Sequence, residues 1–333
     1  MSTIKDVAEL AGVSIATVSR VMKGARNVSP KALAAVNSAI QQLDYHPNAL
    51  ARQLKRQHTN NIIVIIPDIS NTFFHEILLG IEETAEKNNM HILIADMHNK
   101  PSIEEYYLKA LMQKEVDGII SLSANVAQQL LKQAADNFPI VIACQYLQNI
   151  SIPSITIDNI KASRDICNHL ISTGKRSIAH LTALPNFLLY QDRLNGYTAS
   201  LKENGLDFQA GLIRYCSPSV QSGYEQTLSL LDSGQQFDAV FAAGDTMAIG
   251  AIRALRERGL RIPEDCAVAG FDDIEMSALI EPPLTTIRQP KYHIGEEAMG
   301  MLVSLIKGEP VQQPNIVAPH QLVIRQSSEK QEE

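Results

Sequence analysis

The sequence predicts a mixed α/β chain: a three-helix helix-turn-helix head with a short hinge helix, followed by two doubly wound parallel-sheet lobes. Three observations carry this expectation. Apolar residues in the first 45 positions recur at helical spacing, as Ile4, Val7, Ala8 and Ala11 do. From Asn61 onward, short continuous apolar runs alternate with helix-length amphipathic segments, the pattern of parallel strands buried on both faces. That alternation restarts after Ile157, which makes two lobes rather than one.

In the head, Gly12 ends the first helix because the chain must turn there without a Cβ penalty. Ser14 caps a second helix whose Val18, Val21 and Met22 face inward. The opposite face carries Ile15, Ala16, Ser19, Arg20 and Lys23. Two short helices about a glycine turn, the second small and basic on its outer side, match a DNA-reading helix-turn-helix. An ordinary helical hairpin is the alternative. Ser29 and Pro30 start a third helix, and Leu33, Val36, Ile40 and Leu43 form the stripe expected to close the core. Segment 48–55 (NALARQLK) then offers a cap and about eight helical residues, too few to be stable alone in water.

Charge supports this division. The chain of 333 residues carries a net −7, yet up to His58 eight Lys/Arg stand against three Asp/Glu. The surplus of five leaves −12 on the remainder, so a basic head suited to phosphate precedes an acidic body. No apolar run approaches the roughly 20 residues of a membrane helix, and no signal-like start is present, so a cytoplasmic protein is expected. Cys144, Cys167, Cys216 and Cys266 are widely spaced, with no metal-ligand pattern, and reduced buried thiols are expected. His91 and His98 lie near Asp96, but nothing resembles HExxH. No metal, no cofactor and no catalytic set is expected.

In the body, runs at 62–67, 91–96, 118–123 and 140–143 read as strands of a first lobe, with helices at 74–88, 102–114 and 127–137. A second lobe follows with helices at 161–173, 192–204 and 245–258 and strands at 177–181, 239–242 and 266–270. Open parallel sheets place their sites outside the carboxyl ends of the strands, so two facing lobes make a cleft.

Several segments together resemble the Lac repressor/Gal repressor family of bacterial transcription regulators: DVAELAGVSIATVSRV, YHPNALARQL, PDISNTFFHEILLGIE, VDGII, TIDN, DRLNGY, GDTMAIG, IPEDCAVAGFDD and PPLTTIRQP. The resemblance runs from Thr3 to about Ser327, nearest to the branch of the cytidine and purine repressors. It implies lobes of periplasmic-binding-protein type and a division into 1–47 (head), 48–60 (hinge helix and linker), 61–160 with 291–319 (first effector lobe) and 161–290 with 320–327 (second). It also implies an effector-responsive transcriptional repressor that binds a pseudo-palindromic double-stranded operator as a homodimer. The polar tail after Arg325 lacks the heptads of a tetramerising bundle.

The resemblance implies residues for each surface. For DNA these are Thr3, Ser14, Ile15, Ala16, Thr17, Ser19, Arg20 and Asn27 in the head, and Ala51, Leu54 and Lys55 in the hinge. Ile15 and Ala16 suit thymine methyls, and Arg20 suits guanine N7 and O6. Packing within the head is the alternative for Ile15, and a phosphate contact for Arg20. Leu54 matches a leucine wedged into the minor groove, a step that costs a few kcal/mol and is offset by wider contact. For the effector the residues are Asp68, Phe73, Phe74, Asp158, Phe187, Arg193, Asp245 and Asp272. Carboxylates paired with arginine hold hydroxyls, and aromatic faces suit a sugar ring or a base. Core packing is the alternative for Phe74, and helix capping for Asp245. Gly244 stands where sugar-binding members often have asparagine, and the loop before Arg193 lacks a second positive charge. A small neutral effector, sugar or nucleoside, is therefore expected. A solute receptor without DNA function and a small-molecule enzyme are the competing classes. The absent signal peptide and the basic head oppose the first. The absence of GxGxxG, P-loop and GxSxG motifs opposes the second.

Overall fold

The computed structural model describes residues 2–22, 24, 27–45, 58–98, 100–123, 128–147, 151–184 and 187–329. Its internal contacts divide the chain into Met1–Thr59 and Asn60–Glu333. The smaller unit contains α1 (Ile4–Leu10), α2 (Ile15–Met22) and α3 (Pro30–Gln42). Thr3 caps α1 reciprocally: the Asp6 amide donates to its hydroxyl at 3.4 Å, and its own amide donates to the Asp6 carboxylate at 2.7 Å. Gly12 takes the left-handed conformation (φ +65°) that the turn into α2 requires. Val7, Ala8, Val18, Val21, Val36, Ala39 and Tyr45 close the core. The stripe expected on α3 holds at Val36, Ile40 and Leu43 but not at its start. Leu33 is exposed, whereas Val36 and Ala39 are buried. At 13 residues, α3 is longer than the helices of seven and eight residues that it packs on, and its first turn is left uncovered.

The larger unit begins with β1 (Asn61–Ile66), α4 (Phe73–Lys87), β2 (His91–Asp96), α5 (Pro101–Met112), β3 (Gly118–Ser121), α6 (Gln128–Ala135), β4 (Ile140–Ala143) and β5 (Ser154–Ile157). It continues with α7 (Asn159–Ser172), β6 (Ile178–Thr182), α8 (Leu188–Glu203), β7 (Ile213–Tyr215), α9 (Val220–Asp232), β8 (Ala239–Ala242), α10 (Asp245–Glu257) and β9 (Ala267–Ala269). It closes with α11 (Met276–Leu279), β10 (Thr286–Arg288), α12 (Lys291–Lys307), β11 (Asn315–Ala318) and β12 (Gln321–Val323).

The first lobe is built on a parallel sheet of order β11-β5-β4-β3-β1-β2, and the second on a parallel sheet of order β7-β6-β8-β9. The chain crosses between lobes three times, from β5 into α7, from β10 into α12, and from β11 into β12, which pairs antiparallel with β10.

Both sheets are covered on two sides, which explains their near-continuous apolar strands. One cluster joins the sides under α4 with α12 and under α7 with α8, through Ile77, Ile81, Ile294, Leu302, Ile166 and Tyr197. A second lies under α9 and α10, and a third under α5 and α6. Each large apolar side chain fully buried here contributes about 1.5–3 kcal/mol. Helix α12 sits close to α4 because Gly80 and Gly295 face the partner backbone; a Cβ on Gly295 would run into the Ile77 carbonyl oxygen. That contact fixes the N-terminus of α12, where Lys291 stands.

Strand β2 departs from the expected double burial. It is the edge strand of its sheet, and Leu93 and Ile94 are 49 % and 46 % exposed. Helix α8 begins at Leu188, four residues before the expected start, because the apolar Leu188, Leu189 and Tyr190 extend its first turn.

Candidate functional site

On the head, Ile15, Ala16 and Arg20 are exposed, Thr17 and Ser19 are half-buried, and Asn27 is exposed. Helix α2 thus presents an apolar and cationic outer face while Val18 and Val21 hold it down. Ser14 has a local task. Its hydroxyl accepts from the Thr17 amide at 3.2 Å and lies 2.9 Å from the Thr17 hydroxyl, capping α2. The Thr3 hydroxyl likewise reaches Asp6 at 2.9 Å. Lys23, Ala51, Leu54 and Lys55 lie outside the described residues.

In the body, the effector candidates separate. Arg193 projects from α8 and is 6 % exposed. Its Nε donates to Asn159 Oδ1 at 3.0 Å, its Nη1 to the Ala243 carbonyl at 2.6 Å, and its Nη2 lies 3.6 Å from Asp272 Oδ1. The guanidinium carbon sits 3.6 Å from the centre of the Phe271 ring and 5.7 Å from that of Tyr190. Stacking on one face and hydrogen bonds in the plane fix the group's orientation. His180, fully buried and stacked on Tyr197 and Phe241, is pushed down to about 4 by burial, although its bond to the Phe241 carbonyl opposes this. The imidazole is therefore neutral at pH 7.

Asp272 follows β9 and has a 15 % exposed side chain. Among the described residues, Gln289 is the hydrogen-bond donor to its carboxylate, at 2.8 Å. Burial pushes Asp272 up to about 6, against the opposing charges of Arg193 and Lys291 and the Gln289 hydrogen bond. The first lobe faces this pair. Burial and the Asp272 charge push the Cys144 thiol, at the end of β4, well above its ordinary range, while Arg193 opposes them. Two residues further on, the Tyr146 hydroxyl donates to Asp192 Oδ2 on α8 at 2.9 Å, linking the lobes directly. Asp192 is held above the usual carboxylate range, chiefly by burial.

The other candidates stand apart from this cluster. Asp68 accepts from the Ser70 amide at 2.8 Å and the Ser70 hydroxyl at 2.6 Å, forming a local turn. Phe73 and Phe74 open α4 and belong to the buried core, with ring centroids 5.1 Å apart. Asp158 is exposed and caps α7 through the Lys161 amide at 2.8 Å. Phe187 is half-buried and meets Tyr190 edge-on at 6.0 Å, one ring removed from Arg193. Asp245 is turned inward and is 1 % exposed. Its carboxylate accepts from the Ile274 amide (2.9 Å), the Ser277 hydroxyl (2.7 Å) and the Thr286 hydroxyl (2.6 Å). Burial and the neighbouring Asp272 charge push it up to about 7. It braces the loop that carries Asp272, with both oxygens already bonded to protein donors.

Residues at this site beyond the expected set are Asn159, Tyr190, Phe271 and Gln289. Each adjoins or lies within a motif already quoted (TIDN, DRLNGY, AGFDD, IRQP), but motif membership does not say which side chain turns toward Arg193.

Residues 3–48 match the model of bacterial regulatory proteins of the lacI family, and residues 167–328 match a periplasmic binding protein-like domain. The chain is 37 % identical over 330 residues to the HTH-type transcriptional regulator RegA of Clostridium saccharobutylicum, covering 98 % of this chain and 99 % of that protein. The chain belongs to the lacI family. It is a DNA-binding transcriptional regulator. Another relative is the HTH-type transcriptional repressor CytR of Escherichia coli strain K12, 34 % identical over 328 residues, covering 98 % of this chain and 96 % of CytR. Among solved structures, the lac repressor dimer bound to operator and the anti-inducer ONPF matches with a TM-score of 0.86 and 31 % identity, over 98 % of this chain and 99 % of that one. A complex of the transcriptional regulator CelR with cellobiose matches with a TM-score of 0.74 and 32 % identity, over 98 % and 100 %. Among the described residues, no helix is long and apolar enough to cross a membrane.

Proposed function

We propose that the protein is a homodimeric repressor whose affinity for a pseudo-palindromic operator is set by a small neutral sugar or nucleoside held at Arg193 and Asp272. The observation that carries this is the oriented guanidinium beside a carboxylate with few donors, both withdrawn from water at the strand ends of one lobe and facing the other. A cation and an anion side by side balance a neutral ligand and present donors and acceptors for its hydroxyls. Tyr190 and Phe187 supply the aromatic faces. The genes controlled are then those for uptake or catabolism of the same class of compound. The relatives support this reading: one structural neighbour was solved with cellobiose and another as a dimer on operator.

On DNA, Arg20 reads a guanine from the exposed face of α2, with Ile15 and Ala16 on thymine methyls, and Leu54 wedges the minor groove from the hinge. Operator binding measured by gel shift, beside thermal-shift screening of sugars and nucleosides, tests the whole reading. A ligand at a hundred times its Kd adds about 2.7 kcal/mol of stability and is readily seen. Arg20→Ala is expected to cost on the order of 1–3 kcal/mol of operator affinity and to relax preference at one base pair. Equal loss on all sequences would make Arg20 a phosphate contact.

A further inference from the structure

Lys291 opens α12 with its side chain only 5 % exposed, although it carries a charge. A buried ammonium is tolerated only where each proton finds an acceptor. Its Nζ donates to the Asp273 carbonyl at 2.6 Å, to the Asp272 carbonyl at 3.3 Å and to Glu76 Oε1 at 2.9 Å. Three protons meet three acceptors. Those acceptors come from two lobes: Asp272 and Asp273 belong to the second, and Glu76 lies in the first turn of α4 in the first.

The two carbonyls belong to an unusual stretch of backbone. Asp272 (φ +115°) and Asp273 (φ +47°) are consecutive non-glycine residues in the left-handed half of conformational space. Such conformations are costly for residues with a Cβ and persist only where surrounding contacts hold them. Here the Asp273 side chain is gripped by Arg288 at 2.6 Å and Arg325 at 2.7 Å, and the carbonyls by Lys291. Gln289, two residues before Lys291 on the same crossing segment, holds the Asp272 carboxylate. One short segment thus grips Asp272 at both side chain and main chain.

We propose that Lys291 is a positioning residue of the Arg193–Asp272 site: it fixes the backbone that aims Asp272 and ties that backbone, through Glu76, to α4 of the opposite lobe. A ligand that moves Asp272 then moves the first lobe through this tie. The inference rests on the effector reading given above for what the tie transmits, while the tie itself rests on the three contacts of Lys291.

Hydrogen exchange on the full-length, ligand-free protein tests it. The amides of Asp272, Asp273 and Ile274 donate to the Ile287 carbonyl, the Thr286 hydroxyl and Asp245, so exchange of peptide 271–275 reports that backbone. Glu76 is half exposed, and Glu76→Ala is expected to leave the fold intact yet raise exchange of 271–275, in the other lobe, about tenfold. Lys291→Met is expected to raise it further, and the double variant no more than Lys291→Met alone, because both act through one contact. Unchanged exchange in Glu76→Ala, or additive effects, overturns the proposal. In a second arm, cellobiose and cytidine are titrated into the wild type and Glu76→Ala. A probe that shifts operator affinity in the wild type is expected to bind Glu76→Ala with similar affinity but to shift its operator affinity less. An equal shift removes the coupling role. If neither probe binds the wild type, the effector reading loses support while the exchange result still decides the role of Lys291.

Discussion

Asp245 and Asp272 follow neighbouring strands of one sheet, and both are withdrawn from water and raised above the ordinary carboxylate range. Their surroundings differ in one respect. Asp245 spends both oxygens on three protein donors, whereas Asp272 has a single hydrogen-bond donor among the described residues and a guanidinium 3.6 Å away. Burial and a raised pKa are therefore shared by a brace and a candidate ligand contact. What separates them is how much acceptor capacity the protein has already used. Asp68 and Asp158 differ from both in that their printed bonds are local, a turn at Ser70 and a helix cap at Lys161.

The largest contrast is in stability. Asp245→Ala strands a buried amide and two buried hydroxyls, and is expected to cost about 2–5 kcal/mol in chemical denaturation. Asp272→Ala leaves fewer donors unmet and should cost clearly less, while abolishing the response to ligand. Reversed ranks would break the comparison.

A smaller effect is expected from pH. Folding raises the Asp245 pKa from its ordinary 3.8 to about 7, so the native state binds its proton more readily than the unfolded chain does. The resulting stability is present at low pH and is lost as pH rises between about 4 and about 7. Compared with Asp245→Asn, which cannot titrate there, the wild type should lose stability progressively across that window. A difference between the two proteins that does not change with pH would place Asp245 in a more polar setting than its contacts describe. The smallest effect belongs to Gln289→Leu. Loss of one hydrogen bond to Asp272 should weaken ligand binding by about 0.5–1.5 kcal/mol in calorimetry and leave the Asp245 network unaffected.

Much of this was legible in the sequence, for physical reasons that differ by element. The head followed from spacing, Gly12 and Ser14, because capping and left-handed turns restrict residue choice. The lobes followed from apolar runs such as that of β1, which only a doubly covered parallel strand explains. The exposure of Leu93 and Ile94 on β2 was not legible, since an edge strand and a central one can share composition. Leu33 misled because periodicity marks a face without saying how far a partner helix extends along it. Arg193 and Asp272 stand within quoted motifs, and the fold sets them side by side. The inward turn of Asp245 was not legible, because donors such as Thr286 lie 41 residues away in sequence. Lys291 reads as an ordinary helix-start residue until Glu76 and the Asp273 carbonyl are seen around it.

Occupancy of the Arg193–Asp272 pair is expected to control the head. Fluorescence anisotropy of a labelled operator duplex, titrated with the wild type and with Asp272→Asn in the presence of a ligand found by thermal shift, tests it most directly. The ligand is expected to change wild-type operator affinity by about five- to 150-fold, the usual range of allosteric coupling, and to leave that of Asp272→Asn unchanged, with both proteins binding operator alike in its absence. An equal ligand-induced shift in the two proteins would contradict the account and place the effector elsewhere.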